Sequence, residues 1–291
     1  MAFHCPRFMN YAVLQLHIAT FLFGLSGVIG QLNTIDVYLV VAGRAGLAAL
    51  GLSAWARFKG ISLRASRAEQ WRYLLIGILL AFHWTSFFLS IRLSSVAVGL
   101  LTFSCFPIFV ILLGPLLGSG RIRVGDFALV AVLMAGLRLV VPGSLDDAAD
   151  LAGPLWGIAS GLSFAVIQLL NHALVQNEDP VKISVYQNGI ASLALLPLLD
   201  ASMLPGTASA IAQLVFLGLA CTALAHTLFI AGMRRVSAQT ASMFTYLEPV
   251  YGIALAALLL GEIPTPAMAA GGAIILGAVF FATKRQAAPV S

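Results

Sequence analysis

The sequence predicts an all-α integral membrane protein, with ten transmembrane helices arranged as two inverted five-helix repeats. Three observations lead there. Hydrophobic residues make up 60% of the 291-residue chain and charged residues only 9%, with a mean hydropathy of +0.98. A soluble domain carries about 25% charged residues. The apolar residues fall into runs near the about 20 that a helix needs to cross the hydrocarbon core, and little chain is left over. One ten-residue pattern also occurs twice. Phe103–Leu112 reads FSCFPIFVIL and Thr245–Ala254 reads TYLEPVYGIA, which places Pro107 and Pro249 142 residues apart. Five spans per half is an odd number, so the second half must enter the membrane from the opposite side.

Spans 1 to 10 are placed at 11–31, 36–56, 72–92, 95–117, 124–141, 153–173, 181–200, 210–231, 237–260 and 266–283. Residues 11–141 form the first repeat and 153–283 the second. Span 1 is longer than a usual signal core and no small-x-small cleavage site follows it, so it is expected to be retained; Gly24, Gly27 and Gly30 thin it. Span 2 carries Arg44 between Gly43 and Gly46, and span 3 carries His83-Trp84. Span 4 contains Pro107, which removes a backbone hydrogen bond and is expected to kink the helix. Span 5 has Arg138 near its outer end, where its stem reaches the interface. In span 6, Gly153, Gly157 and Gly161 stand four apart and leave one face bare for close helix approach. Span 7 holds Tyr186, Gln187 and Asn188, and span 8 holds His226 near Thr222 and Thr227. Span 9 holds Tyr246, Glu248, Pro249 and Tyr251, with a second expected kink at the proline. Span 10 is glycine-rich, with GGAIILG at Gly271–Gly277.

Orientation follows from the basic residues. With both termini in the cytoplasm, thirteen of the sixteen Lys and Arg lie inside: Arg7, Arg57, Lys59, Arg64, Arg67, Arg72, Arg121, Arg123, Lys182, Arg234, Arg235, Lys284 and Arg285. The outer side collects Asp36, Asp146, Asp147, Asp150, Asp200 and Glu262. The net charge of +5 therefore marks topology rather than nucleic acid. Trp55 and Trp71 flank the inner loop as interfacial anchors.

Inverted repeats with interrupted helices mark transporter folds, whose sites lie near the repeat interface. A charge at mid-membrane costs at least ~2.5–3.5 kcal/mol, so it faces a cavity or a partner. Arg44 and Glu248 fall at mid-depth and have two open roles: substrate path, or a structural tie to backbone or to each other. Glu248 is also the leading candidate for proton coupling. At the repeat offset of 142–143, His83-Trp84 stands opposite Ala225-His226, and Gln187 is the counterpart of Arg44. Trp84, Trp156, Tyr186, Tyr246 and Tyr251 supply aromatic walls for an organic solute. Cys5, Cys105 and Cys221 are scattered and read as reduced thiols. No metal-ligand spacing, H-E-x-x-H, G-x-S-x-G or paired mid-membrane aspartates occur, so no metal, cofactor or enzymatic activity is expected.

Thr245–Gly261, TYLEPVYGIALAALLLG, followed by Glu262 and the glycine-rich last span, resembles the closing signature of EamA-type repeats in the drug/metabolite transporter superfamily. Arg44, in AGRAGLAAL, resembles that family's arginine on the second helix. The first half departs from the pattern: Phe106 stands where the second half has Glu248, and Gly118-Ser119 where it has Gly261-Glu262. The resemblance implies a cavity lined by spans 1–4 and 6–9, with spans 5 and 10 peripheral. It implies a bacterial inner-membrane exporter of small metabolites, amino acids first and aromatic ones among them, working by alternating access as a monomer in the lipid bilayer. A proton-coupled efflux pump for drugs or toxic compounds is the alternative. The candidate site is Arg44, His83, Trp84, Trp156, Tyr186, Gln187, His226, Tyr246 and Glu248.

Overall fold

A computed structural model describes residues 6–32, 35–117, 124–140, 148–236, 241, 244–245 and 247–287. The described residues are helical, joined by short turns. Helices α1 (Pro6–Leu32), α2 (Val37–Lys59) and α3 (Arg67–Leu93) correspond to spans 1 to 3. Asp36 starts α2 by accepting from the Tyr38 amide at 2.8 Å, and Gly60 ends it at φ +68°, the left-handed conformation that only glycine adopts without strain. Ser66 and Glu69 form a reciprocal capping box at α3.

Span 4 is two helices. α4 (Val96–Phe103) and α5 (Phe106–Leu113) meet at a turn over Ser104 and Cys105, and a 3-10 turn, Gly114–Leu117, follows. Pro107 does not kink a continuous helix. It lies in the first turn of α5, where its missing N–H has no helical acceptor to lose. The interruption sits just before it, over the Ser104–Cys105 turn.

α6 (Val124–Val140) and α7 (Ala148–Val175) follow, then α8 (Pro180–Leu195), shorter than the expected 181–200 because the chain tightens into a 3-10 turn at Leu196–Leu198. Span 8 is α9 (Ala208–Gly218), a π-helical turn (Leu219–Leu224) and α10 (Ala225–Met233). The longest described stretch of span 9 is α11 (Leu247–Leu260), with Pro249 in its first turn. α12 (Pro266–Ala287) is the last described element. Tyr246, Cys5, Gly118-Ser119, Arg121, Arg123, Asp146 and Asp147 lie outside the described residues.

Among the described residues six helices are long and apolar enough to cross a membrane. The exterior is apolar: Leu50, Leu116, Leu193, Leu258 and Phe281 are exposed. The interior holds Arg44, Gln168, Asn171, Gln187 and Asn188, all buried. That inside-out distribution fits a lipid solvent.

The packing is pairwise. α3 runs along α7 and α8, α2 along α8 and α9, and α1 along α10 and α11; α7 also meets α4 and α5, and α6 pairs with α12. Glycines set the closest crossings. A Cβ on Gly24 would lie 2.8 Å from the Glu248 carbonyl oxygen and 2.9 Å from the Gly252 nitrogen, so α1 and α11 touch backbone to backbone. The bare face of α7 seats Ser94 at Gly153, Thr102 at Gly157 and the Phe103 carbonyl at Gly161.

Candidate functional site

The helix pairs enclose a small central cavity. Phe23 and Ser26 reach it from α1, Arg44 from α2, and His83, Trp84 and Phe87 from α3. Phe103 of α4, Phe164 of α7, His226 of α10 and Glu248 of α11 complete it. The free space is about 30 Å³, room for roughly two waters at about 10–15 Å³ each. α6 and α12 pack on one another and supply none of these ten residues, and neither does α8.

Arg44 is the best anchored of them. Its Nε donates to Thr222 Oγ1 at 2.7 Å, Nη1 to Ser26 Oγ at 2.9 Å, and Nη2 to the Cys221 carbonyl at 3.2 Å. The two acceptors on span 8, Thr222 and Cys221, come from the π-turn. There Thr222 Oγ1 donates to the Leu217 carbonyl, five residues back, at 2.7 Å. A π-turn inserts one residue into the helical ladder and loosens its carbonyls, which turns Cys221 and Thr222 toward the guanidinium. The guanidinium also lies 4.4 Å over the Trp84 ring and 5.3 Å from the Phe88 ring. Three of five N–H donors are thus engaged with described residues, and two have no acceptor among them. Of the two open roles for Arg44, the structural tie is real: it joins α1, α2 and span 8. Arg44 and Glu248 share the cavity, but among the described residues the ion pairs are those of Lys182 with Glu178 and Glu69.

His83 is oriented by Ser160 of α7. Its Nδ1 lies 3.1 Å from the Ser160 carbonyl and 2.8 Å from Ser160 Oγ. A carbonyl only accepts, so Nδ1 carries the proton and Nε2 is left as an acceptor. Ser160 Oγ in turn donates to the His83 carbonyl at 3.1 Å. His226 stands edge-on to Trp84, ring centroids 4.9 Å apart, and 4.8 Å from Phe23. Phe87, Phe103 and Phe164 surround His83.

The structure therefore brings Arg44, His83, Trp84, His226 and Glu248 together. It places three other candidates elsewhere. Trp156 lies on the outer face of α7 against Phe82, 37% exposed, because the inward face of α7 is its glycine row. Tyr186 stacks on Tyr73 at 4.6 Å and donates to the Leu63 carbonyl at 2.6 Å, at the loop end of α8. Gln187 is buried, accepts from Asn171 Nδ2 at 3.2 Å and does not line the cavity. Tyr246 lies outside the described residues. Sequence reasoning missed Phe23, Ser26, Phe87, Phe103 and Phe164. A signal existed for one of them: Phe87 has a counterpart in Phe229 at the repeat offset of 142, and Phe229 packs 5.6 Å from Phe23.

The model of the EamA-like transporter family matches this chain twice, over residues 10–141 and 151–284. An "Uncharacterized transporter" of Archaeoglobus fulgidus is 31% identical over 198 residues, covering 68% of this chain and 70% of that one. A protein of Streptantibioticus cattleyicolor named "Probable terminal-alkyne amino-acid exporter" is 27% identical, covering 62% of this chain and 61% of that one. One protein crystal structure shares the fold with a TM-score of 0.70 at 20% identity, covering 95% of this chain and 98% of the other.

Proposed function

Since this chain belongs to the EamA-like transporter family, we propose that it exports small organic metabolites across a bacterial inner membrane, amino acids first and aromatic ones among them. The observation that carries this reading is the presence of both Arg44 and Glu248 in one cavity walled by aromatic rings. A zwitterion presents a carboxylate for the remaining Arg44 donors and an ammonium for Glu248 and His83 Nε2. Phe23, Trp84, Phe87, Phe103 and Phe164 then meet an apolar side chain. A relative named a probable amino-acid exporter supports the same substrate class. The space of about 30 Å³ is too small for such a solute, so helices must part to admit it, as alternating access requires.

The packing supports ten crossings in two related halves. Exchanging each span for the one five later turns α3 on α7 into α10 on α1, and turns α4 and α5 on α7 into α11 on α1. Both members of each pair occur, while α2 on α8 and α6 on α12 map onto themselves. With odd halves, both termini lie on the same side, and the excess of Lys and Arg there makes it the cytoplasmic one. Cysteine placed at Ser62 is expected to react with an impermeant maleimide only from the cytoplasmic side, and at Ser144 only from the outside. Labelling of both from one face refutes this topology.

Transport is tested with purified protein in liposomes. Labelled aromatic and aliphatic amino acids are expected to enter faster than into protein-free vesicles, and no uptake of any member of the panel overturns the reading. Running the assay with and without a pH gradient tests the second reading, a proton-coupled drug or toxic-cation pump, which the single cavity carboxyl of Glu248 favours and the cationic Arg44 opposes. Trp84→Ala is expected to slow aromatic substrates roughly 2–10-fold more than alanine, since an aromatic pair is worth about 0.5–1.5 kcal/mol beyond area. Equal effects on both remove Trp84 from the substrate site.

A further inference from the structure

Two arginines outside the cavity make the same construction. Arg92, in the last turn of α3, donates from Nε and Nη2 to the Gly30 carbonyl at 3.3 and 3.2 Å, and from Nη2 to the Ile35 carbonyl at 2.9 Å. Arg234, just past α10, donates from Nε to the Val175 carbonyl and from Nη2 to the Glu178 carbonyl, both at 3.0 Å. Each guanidinium thus spans the connection between two consecutive helices, α1 to α2 in one case and α7 to α8 in the other. Each connection ends in an aspartate that caps the next helix. Asp36 accepts from the Tyr38 amide and Asp179 from the Val181 amide, both at 2.8 Å. Arg234 follows Arg92 by 142 residues and Asp179 follows Asp36 by 143, the offset of the prolines. One device has been built twice.

We propose that Arg92 and Arg234 are a pair of latches, one on each side of the membrane, which hold the two gates of the cavity shut. The proposal rests on the alternating-access reading. α3 carries His83, Trp84 and Phe87, and α1 with α2 carries Phe23, Ser26 and Arg44. Arg92 fastens these two cavity walls together at the outer end. α10 carries His226 and α7 carries Phe164, and Arg234 fastens those walls at the inner end. Carbonyls at a helix C-terminus lack helical partners and carry the negative end of the dipole, so a guanidinium is a strong yet releasable tie. Both latches are engaged around a space of about 30 Å³, which is the closed arrangement. Release of one while the other holds opens one side only.

The test reads sidedness without substrate. Cysteine is placed at Phe103 in a background with Cys5, Cys105 and Cys221 replaced, and labelled with an impermeant maleimide from either side of oriented vesicles. Arg92→Gln is expected to raise labelling from outside, and Arg234→Gln from inside, by at least about threefold, the shift that losing one intramembrane hydrogen bond gives. Arg92→Lys and Arg234→Lys keep one bond each and are expected to shift labelling in the same directions by less; they serve if a Gln variant does not fold. Variants that lose stability without opposite sidedness overturn the latches and make the arginines plain packing ties. Opposite shifts in a protein that transports none of the amino acids leave the latches standing and overturn the transport reading instead.

Discussion

Arg44→Lys is expected to cut transport roughly 10–100-fold while leaving a folded, monodisperse protein. An ammonium cannot reach Thr222 Oγ1, Ser26 Oγ and the Cys221 carbonyl together from one point, as the guanidinium fork does. Two of the three bonds are lost. An intramembrane hydrogen bond is worth about 0.6 kcal/mol on average and up to about 1.7, and every 1.4 kcal/mol is about tenfold. The guanidinium contact over the Trp84 ring goes with them. The measurement is initial uptake rate in liposomes at matched protein density, with gel filtration and melting temperature as controls for folding. Wild-type rates from Arg44→Lys show that charge alone is enough and remove the fork geometry from the mechanism.

Gly24→Ala is expected to destabilise the protein by about 1–3 kcal/mol, the usual cost of forcing a methyl group into a packed interior. The neighbours of the added methyl are the Glu248 carbonyl oxygen and the Gly252 nitrogen. Backbone cannot rotate aside, so α1 and α11 must separate. Because α11 carries Glu248 and α1 carries Phe23 and Ser26, the change also moves cavity walls. Gly277→Ala is the control, since no atom lies within 4 Å of a Cβ there and alanine is the better helix former. Melting in detergent should drop for Gly24→Ala and hold or rise for Gly277→Ala. Equal behaviour means the crossing is looser than the geometry says.

The six long apolar helices were legible because lipid demands long apolar runs, and the convergence of Arg44, His83, Trp84, His226 and Glu248 because buried polar groups need one another or a cavity. Residue type without helix face was a poorer guide. Trp156 and Gly157 are neighbours in sequence but about 100° apart around α7, and the glycine takes the inward side. Tyr186 is drawn off by a hydroxyl partner, the Leu63 carbonyl. Proline marked the interruption of span 4 without placing it, since the turn falls at Ser104 and Cys105. The repeat offset of 142 pairs Arg92 with Arg234 as well as the two prolines. The π-turn left no trace in the sequence, because Leu219–Leu224, LACTAL, has no residue that α-helix disfavours strongly.

That turn makes the numbering of span 8 as important as its composition. Deleting one residue from Leu219–Leu224 would remove the extra residue that the wide turn absorbs and restore an ordinary ladder, with the segments before and after it close to their present phase. Leu214 would keep its seat on Gly43, and Gly218 its seat beside Leu47 and the Arg44 carbonyl, but the Cys221 carbonyl and Thr222 Oγ1 would turn away from the Arg44 guanidinium. A deletion elsewhere in the span has no such slack and rotates one half of the helix by about 100° against the other. Single-residue deletions should accordingly be better tolerated at the solvent-facing tip Pro205-Gly206, a turn outside any helix with open space around Gly206, than anywhere in the apolar helix that follows it.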